Sequence, residues 1–131
     1  VIFDREAELG YEDLSRAEKA VYCIDCLSRE MENGGFGQLF HHDAGGLFLD
    51  MLEALEQIRA KNTLAVMQQI VDFFPNSKIP SDEDERIDTF DQLASELLDE
   101  IAECDDRFHD AGENLIELTL KFVAKNLAQF R

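Results

Sequence analysis

Cys23-x-x-Cys26 has the spacing of half a zinc or thiol-redox motif, and His41, His42, Cys104 and His109 could supply further nitrogen and sulfur ligands. Reactive or metal-binding thiols sit at turns and helix N-termini, where the thiolate is stabilised. Here both cysteines fall inside a predicted helix, there is no second Cys pair, and no strand-helix pattern of the thioredoxin kind accompanies them. They read as packing residues or partly exposed thiols. His41-His42-Asp43 places imidazole beside carboxylate, as a general base would require, yet no Ser or Cys nucleophile stands at a recognisable spacing from it. Gly34-Gly35-Phe36-Gly37 has the glycine density of a phosphate-cradling loop but lacks its Lys-Ser/Thr ending and follows no strand. A helix-helix corner is the better use of it. No catalytic residue, metal site or cofactor is therefore expected; a hydrolase built on this corner would need a deep pocket lined by His41, His42 and acids.

The remaining chemistry is charge. The 131 residues carry 29 acids and 12 bases, a net −17, which opposes direct contact with nucleic acid or anionic lipid and favours basic partners. Residues 81–113 hold 14 of the acids and only Arg86 and Arg107 as bases, so the excess is regional. Asp88, Asp91, Asp99, Glu103, Asp106 and Asp110 step by three or four residues, with Ser95 filling the gap and Asp84 one turn earlier. On one long helix this is an outward row with a carboxylate every ~5–6 Å, of the same order as the phosphate spacing along a nucleic-acid strand. Like charges four apart each cost a few tenths of a kcal/mol, and lysines to offset them would be easy to place. Solubility accounts for a charged face, but local stability does not account for so few neighbouring bases.

The elements that must position these groups are helical. Leu, Ala and Glu total 43 residues against 16 for Val, Ile and Thr, a bias toward side chains that keep rotamer freedom in a helix. Ser15-x-x-Glu18 is a capping box opening a helix to about Met31, with Ala17, Ala20, Val21, Ile24, Leu27 and Met31 at helical spacing. Asn33 or Gly34 can end it in the left-handed conformation, after which a short helix carries Phe36, Leu39 and Phe40. A third helix presents Phe48, Met51, Leu52, Leu55 and Ile58 and ends near Lys61. Asn62 is placed to cap a fourth, stopped by Pro75. Ser81 is placed to cap the acidic element, whose Phe90, Leu97 and Cys104 and whose Ala94, Ile101 and Phe108 repeat every seven residues, describing a single long packed helix. A last helix from about Glu113 to Phe130 has apolar residues over a wide arc and should be well buried. The expected fold is all-α, one compact domain of five or six helices over residues 15–131, with residues 1–14 as an N-terminal extension. Tyr22 and Cys26 lie off the main apolar stripe of the first helix, so that helix should be covered on two sides, by a second subunit or by the same chain.

Three cysteines do not make a disulfide framework, no apolar run is long enough to span a membrane, and no basic, apolar leader opens the chain; the cytoplasm is the expected compartment, although a start at Val1 leaves a trimmed N-terminus open.

Glu32-Asn33-Gly34-Gly35-Phe36-Gly37-Gln38-Leu39-Phe40, followed by Gly45, resembles the signature of a bacterial helical family whose best-known member is the DNA-mimic protein numbered nineteen. Glu53-Ala54-Leu55 with Ile58 and Ala60, Phe74-Pro75, Pro80-Ser81-Asp82, Arg86, Asp105-Asp106-Arg107-Phe108 and Glu113-Asn114-Leu115 extend the resemblance over residues 15–128. His41-His42-Asp43 departs from it, standing where members commonly have an aromatic residue, Asn and Ser. The resemblance implies an all-α homodimer whose acidic surface occupies the DNA-binding face of a helix-turn-helix transcription factor. Its motif residues Asn33, Gly34, Gly35, Phe36 and Gln38 are structural. The expected function is thus non-enzymatic sequestration of a basic DNA-binding protein, with Asp84, Asp88, Asp91, Asp99, Glu103, Asp106 and Asp110 as phosphate surrogates. An immunity-type module that neutralises a basic toxin or enzyme is the alternative.

Overall fold

The computed structural model describes residues 10–130, apart from the side chains of Asp43 and Ala44, and these residues form six α-helices and four short 3-10 segments. We label them α1 (Arg16–His41), α2 (Phe48–Gln57), α3 (Lys61–Phe73), α4 (Glu83–Glu96), α5 (Leu98–His109) and α6 (Leu115–Lys125). Residues 1–9 of the expected extension lie outside the described residues. Tyr11–Asp13 form a 3-10 turn, Leu14 is buried, and the Tyr11 hydroxyl reaches Cys23 Sγ at 3.2 Å and Asp50 Oδ2 at 3.0 Å.

The helix α1 is the axis of the domain and packs against α2, α4, α5 and α6. Its start is the expected capping box: Ser15 Oγ accepts from the Glu18 N–H at 3.1 Å, and Glu18 Oε1 accepts from the Ser15 N–H at 2.9 Å. The interruption expected near Asn33-Gly34 falls one residue later. Gly35, at φ 74° and ψ −156°, adopts a conformation open essentially to glycine alone, and the chain resumes as helix at once. The redirected segment sends Phe36 and Phe40 into the interior. The Phe40 ring centroid lies 5.0 Å from that of Phe48, 5.3 Å from Phe74 and 4.7 Å from Phe90, joining α1 to α2, to the end of α3 and to α4. All four rings are buried, each worth roughly 1.5–3 kcal/mol against exposure. Cys23 and Cys26 are buried on α1 as well, so helices of the same chain cover its second face.

The helix α2 stops earlier than expected. Arg59 takes the left-handed conformation at φ 65°, its N–H bonding Glu56 O at 3.1 Å and the Ala60 N–H bonding Leu55 O at 2.9 Å. Nor does Asn62 cap α3. Ala60 occupies the cap position without a side-chain bond, and the cap is supplied from the far end of the chain: Glu113 accepts the Asn62 N–H at 3.0 Å, the Thr63 N–H at 2.7 Å and the Thr63 hydroxyl at 2.8 Å. Pro75 ends α3 as expected, with Phe74 extended before it at ψ 147°. The cap of α4 is Asp82, which accepts the Glu85 N–H at 3.0 Å, rather than Ser81.

Two expectations about the C-terminal half are corrected. The acidic element is two helices, because Leu97 leaves helical geometry at φ −122°, ψ 40° and both α4 and α5 end on it. And α6 is shorter and far less buried than its composition suggests: it contains no buried residue, and Ile116 and Leu120 are 74% and 64% exposed.

Candidate partner-binding surface

The acidic surface is built on α4 and α5. On α4 the apolar residues Phe90 and Leu93 face the core, and on α5 Ile101 and Cys104 do. Helical geometry then turns the intervening carboxylates outward. Asp84, Asp88, Asp91, Asp99, Glu103, Asp106 and Asp110 are all exposed, as are Glu83, Glu85, Glu96 and Glu100 beside them. The break at Leu97 divides the expected single row into a ladder of Asp84, Asp88 and Asp91 on α4 and a second of Asp99, Glu103 and Asp106 on α5, with Asp110 just past the end of α5.

Neutralisation of these groups from elsewhere in the fold is slight. Among the described residues one of the seven contacts a basic side chain, Asp91, whose Oδ1 lies 2.6 Å from His41 Nε2. The two bases of the segment leave the ladders alone: Arg86 is 3% exposed and turned inward, and Arg107 donates to Gln69 on α3. One carboxylate of α5 turns inward instead. Asp105 is half-buried, and burial pushes its pKa above the usual carboxylate range, against the opposing pull of the Phe36 N–H and of His109.

The signature residues lie at the break in α1. Asn33 and Gly34 are exposed there, Phe36 is fully buried, and Gln38 Nε2 stands 3.0 Å from His42 Nε2. A Cβ on Gly35 would sit 2.6 Å from Asp105 Oδ1, so this glycine is required by space as well as by φ. The imidazoles of His41 and His42 are exposed, the first on Asp91 and the second 3.4 Å from Glu30 Oε2. Cys23, Cys26 and Cys104 are buried and free, and burial pushes the Cys23 thiol up to about 12 and raises the other two. Among the described residues no group of three His, Cys, Asp or Glu converges as a metal set, and no helix is long and apolar enough to cross a membrane.

Six helices around a phenylalanine core, with the chain's charge concentrated on two of them, define an all-α domain with an acidic face. The chain belongs to the DMP19-like protein family, whose model matches residues 12–126. No curated protein and no solved structure matches it.

Proposed function

We propose that the protein is a non-enzymatic DNA mimic of the cytoplasm that captures a basic DNA-binding protein, such as a helix-turn-helix transcription factor, on the α4–α5 face. The observation that carries this reading is the exposure of seven carboxylates at helical spacing, of which, among the described residues, Asp91 alone contacts a basic side chain, His41. Membership of the DMP19-like family supports it. In mechanism, lysines and arginines that ordinarily contact phosphates would find carboxylates on the two ladders instead. Long-range attraction would speed encounter and weaken beyond the ~10 Å screening length of 0.1 M salt.

On this reading the protein acts as a homodimer, and α6 offers the apolar surface for it. Ile116 and Leu120 border a groove of about 320 Å³ with Val21 and Ile24 of α1, an exposed apolar face of the kind subunit contacts cover.

The test is capture of purified helix-turn-helix proteins by the wild type and by a variant carrying Asp88→Asn, Asp91→Asn, Asp99→Asn and Glu103→Gln. Loss of capture with an unchanged circular dichroism spectrum is expected, and undiminished capture would remove the proposal. Sedimentation of Leu120→Glu beside the wild type reads the dimer separately.

A further inference from the structure

An arginine is buried in this acidic protein with no ionic partner among the described residues. Arg86, on the first turns of α4, is 3% exposed, and its Nε has no hydrogen-bond partner. No ion pair forms on its guanidinium among the described residues. Burying an arginine is costly unless its charge is met, and among the described residues no carboxylate pairs with it.

The side chain is held in place by the Gly45-Gly46 turn. A Cβ on Gly45 would lie 2.9 Å from Leu39 O and 3.1 Å from Arg86 Nε, and one on Gly46 would lie 3.9 Å from both terminal nitrogens. Glycine at position 45 therefore leaves room that the side chain uses, whereas a Cβ on Gly46 would make only ordinary van der Waals contact with the guanidinium. In front of it opens a cavity of about 120 Å³, lined by Arg86, the two glycines, Phe48, Leu49, Ile79, Pro80 and Ser81.

We propose that this cavity is a binding site for a small monocarboxylate with a short apolar tail. One guanidinium presents a planar pair of donors that a carboxylate accepts in bidentate fashion, and the Ser81 hydroxyl is the side-chain donor at the rim. A phosphate dianion would bring twice the charge to a single cation, beside the exposed carboxylates Asp82, Glu83, Asp84 and Glu85. Phe48, Leu49, Ile79 and Pro80 give the tail an apolar wall. The site does not depend on partner capture by the α4–α5 face.

The experiment follows the side-chain Nε–Hε resonance of Arg86 in protein labelled with ¹⁵N-arginine, titrated with isobutyrate at constant ionic strength. A saturating shift is expected with isobutyrate and none with isobutyramide, its neutral isostere. Ser81→Ala should weaken binding by about tenfold, the effect of one bond to a charged group. Leu49→Glu should abolish it by setting a like charge at the mouth, at a position 61% exposed where the fold tolerates the change. This variant decides the matter where Arg86→Lys fails to fold. No saturable shift, an equal shift with phosphate, chloride or isobutyramide, or full binding by Leu49→Glu would overturn the proposal and leave Arg86 an internal structural cation.

Discussion

Asp105 accepts the backbone N–H of Phe36 at 2.9 Å, and its carboxylate fills the space that a side chain on Gly35 would need. A break in α1 and a carboxylate on α5 thus require one another. The N–H freed by the non-helical residue is satisfied by Asp105, and Phe36 and Phe40 are aimed at the core as a result.

Gly35→Ala should destabilise the domain by about 2–4 kcal/mol, the sum of a strained backbone and a clash with Asp105. Gly37, two residues on in helix with nothing within 4 Å of its would-be Cβ, is the control. Gly37→Ala should be neutral or stabilise by up to about 1 kcal/mol. Urea denaturation of the two variants checks the contrast, and equal effects would contradict it.

Arg59 occupies at φ 65° the position that usually belongs to glycine at a helix C-terminus. Its side chain gains no hydrogen bond there among the described residues. Arg59→Gly should therefore raise stability by about 0.5–1 kcal/mol. Thermal unfolding would show a higher midpoint; a lower one would mean that the arginine makes a contact worth more than its strain.

Two carboxylates should give stability opposite dependences on pH. Burial alone would raise the Glu113 pKa, but the N–H groups of Asn62 and Thr63 and the Thr63 hydroxyl together hold it below its ordinary 4.5. Its contribution is present above pH 4.5 and is lost as pH falls through the folded value. Asp105 is shifted the other way by burial, so its contribution is full below its ordinary 3.8 and is lost as pH rises through the folded value. Denaturation between pH 3 and 7 should show the deficit of Glu113→Gln shrinking on acidification. Asp105→Asn should lose less stability than the wild type as pH rises through that window. The same trend in both variants would contradict the assignment. At neutral pH Glu113→Ala should cost about 1–2 kcal/mol through the lost cap.

Neutralising the ladders should separate folding from capture. Asp84 and Asp88, and Asp99 and Glu103, repel at i,i+4, so the Asp88→Asn, Asp91→Asn, Asp99→Asn, Glu103→Gln variant should gain about 0.5–1 kcal/mol despite losing the His41 contact. A stability loss beyond 1 kcal/mol would show that these acids serve the fold.

Much of this was legible in the chain because local chemistry decided it. Ser15 and Glu18 specify a start, Pro75 an end, and the spacing of Phe90, Ile101 and Cys104 much of the inward faces of α4 and α5. What escaped depends on distant groups. Nothing at Leu97 announces a break, since leucine is a good helix former, and the apolar face of α6 gives no sign that the chain leaves it uncovered. Asn62 is a sound local cap, displaced by a glutamate 51 residues on. The signals for Arg86 were its place in the family resemblance and its isolation, a single base among the acids of residues 81–106.

Because α4 and α5 meet at Leu97 without an intervening loop, the rise between charges and the heading of each charged segment are set by separate parts of the chain. Substitutions around that joint would swing one segment against the other and leave every carboxylate interval as it is. On the proposed reading, descendants of this sequence would fit targets of different curvature by changing backbone angles at one position.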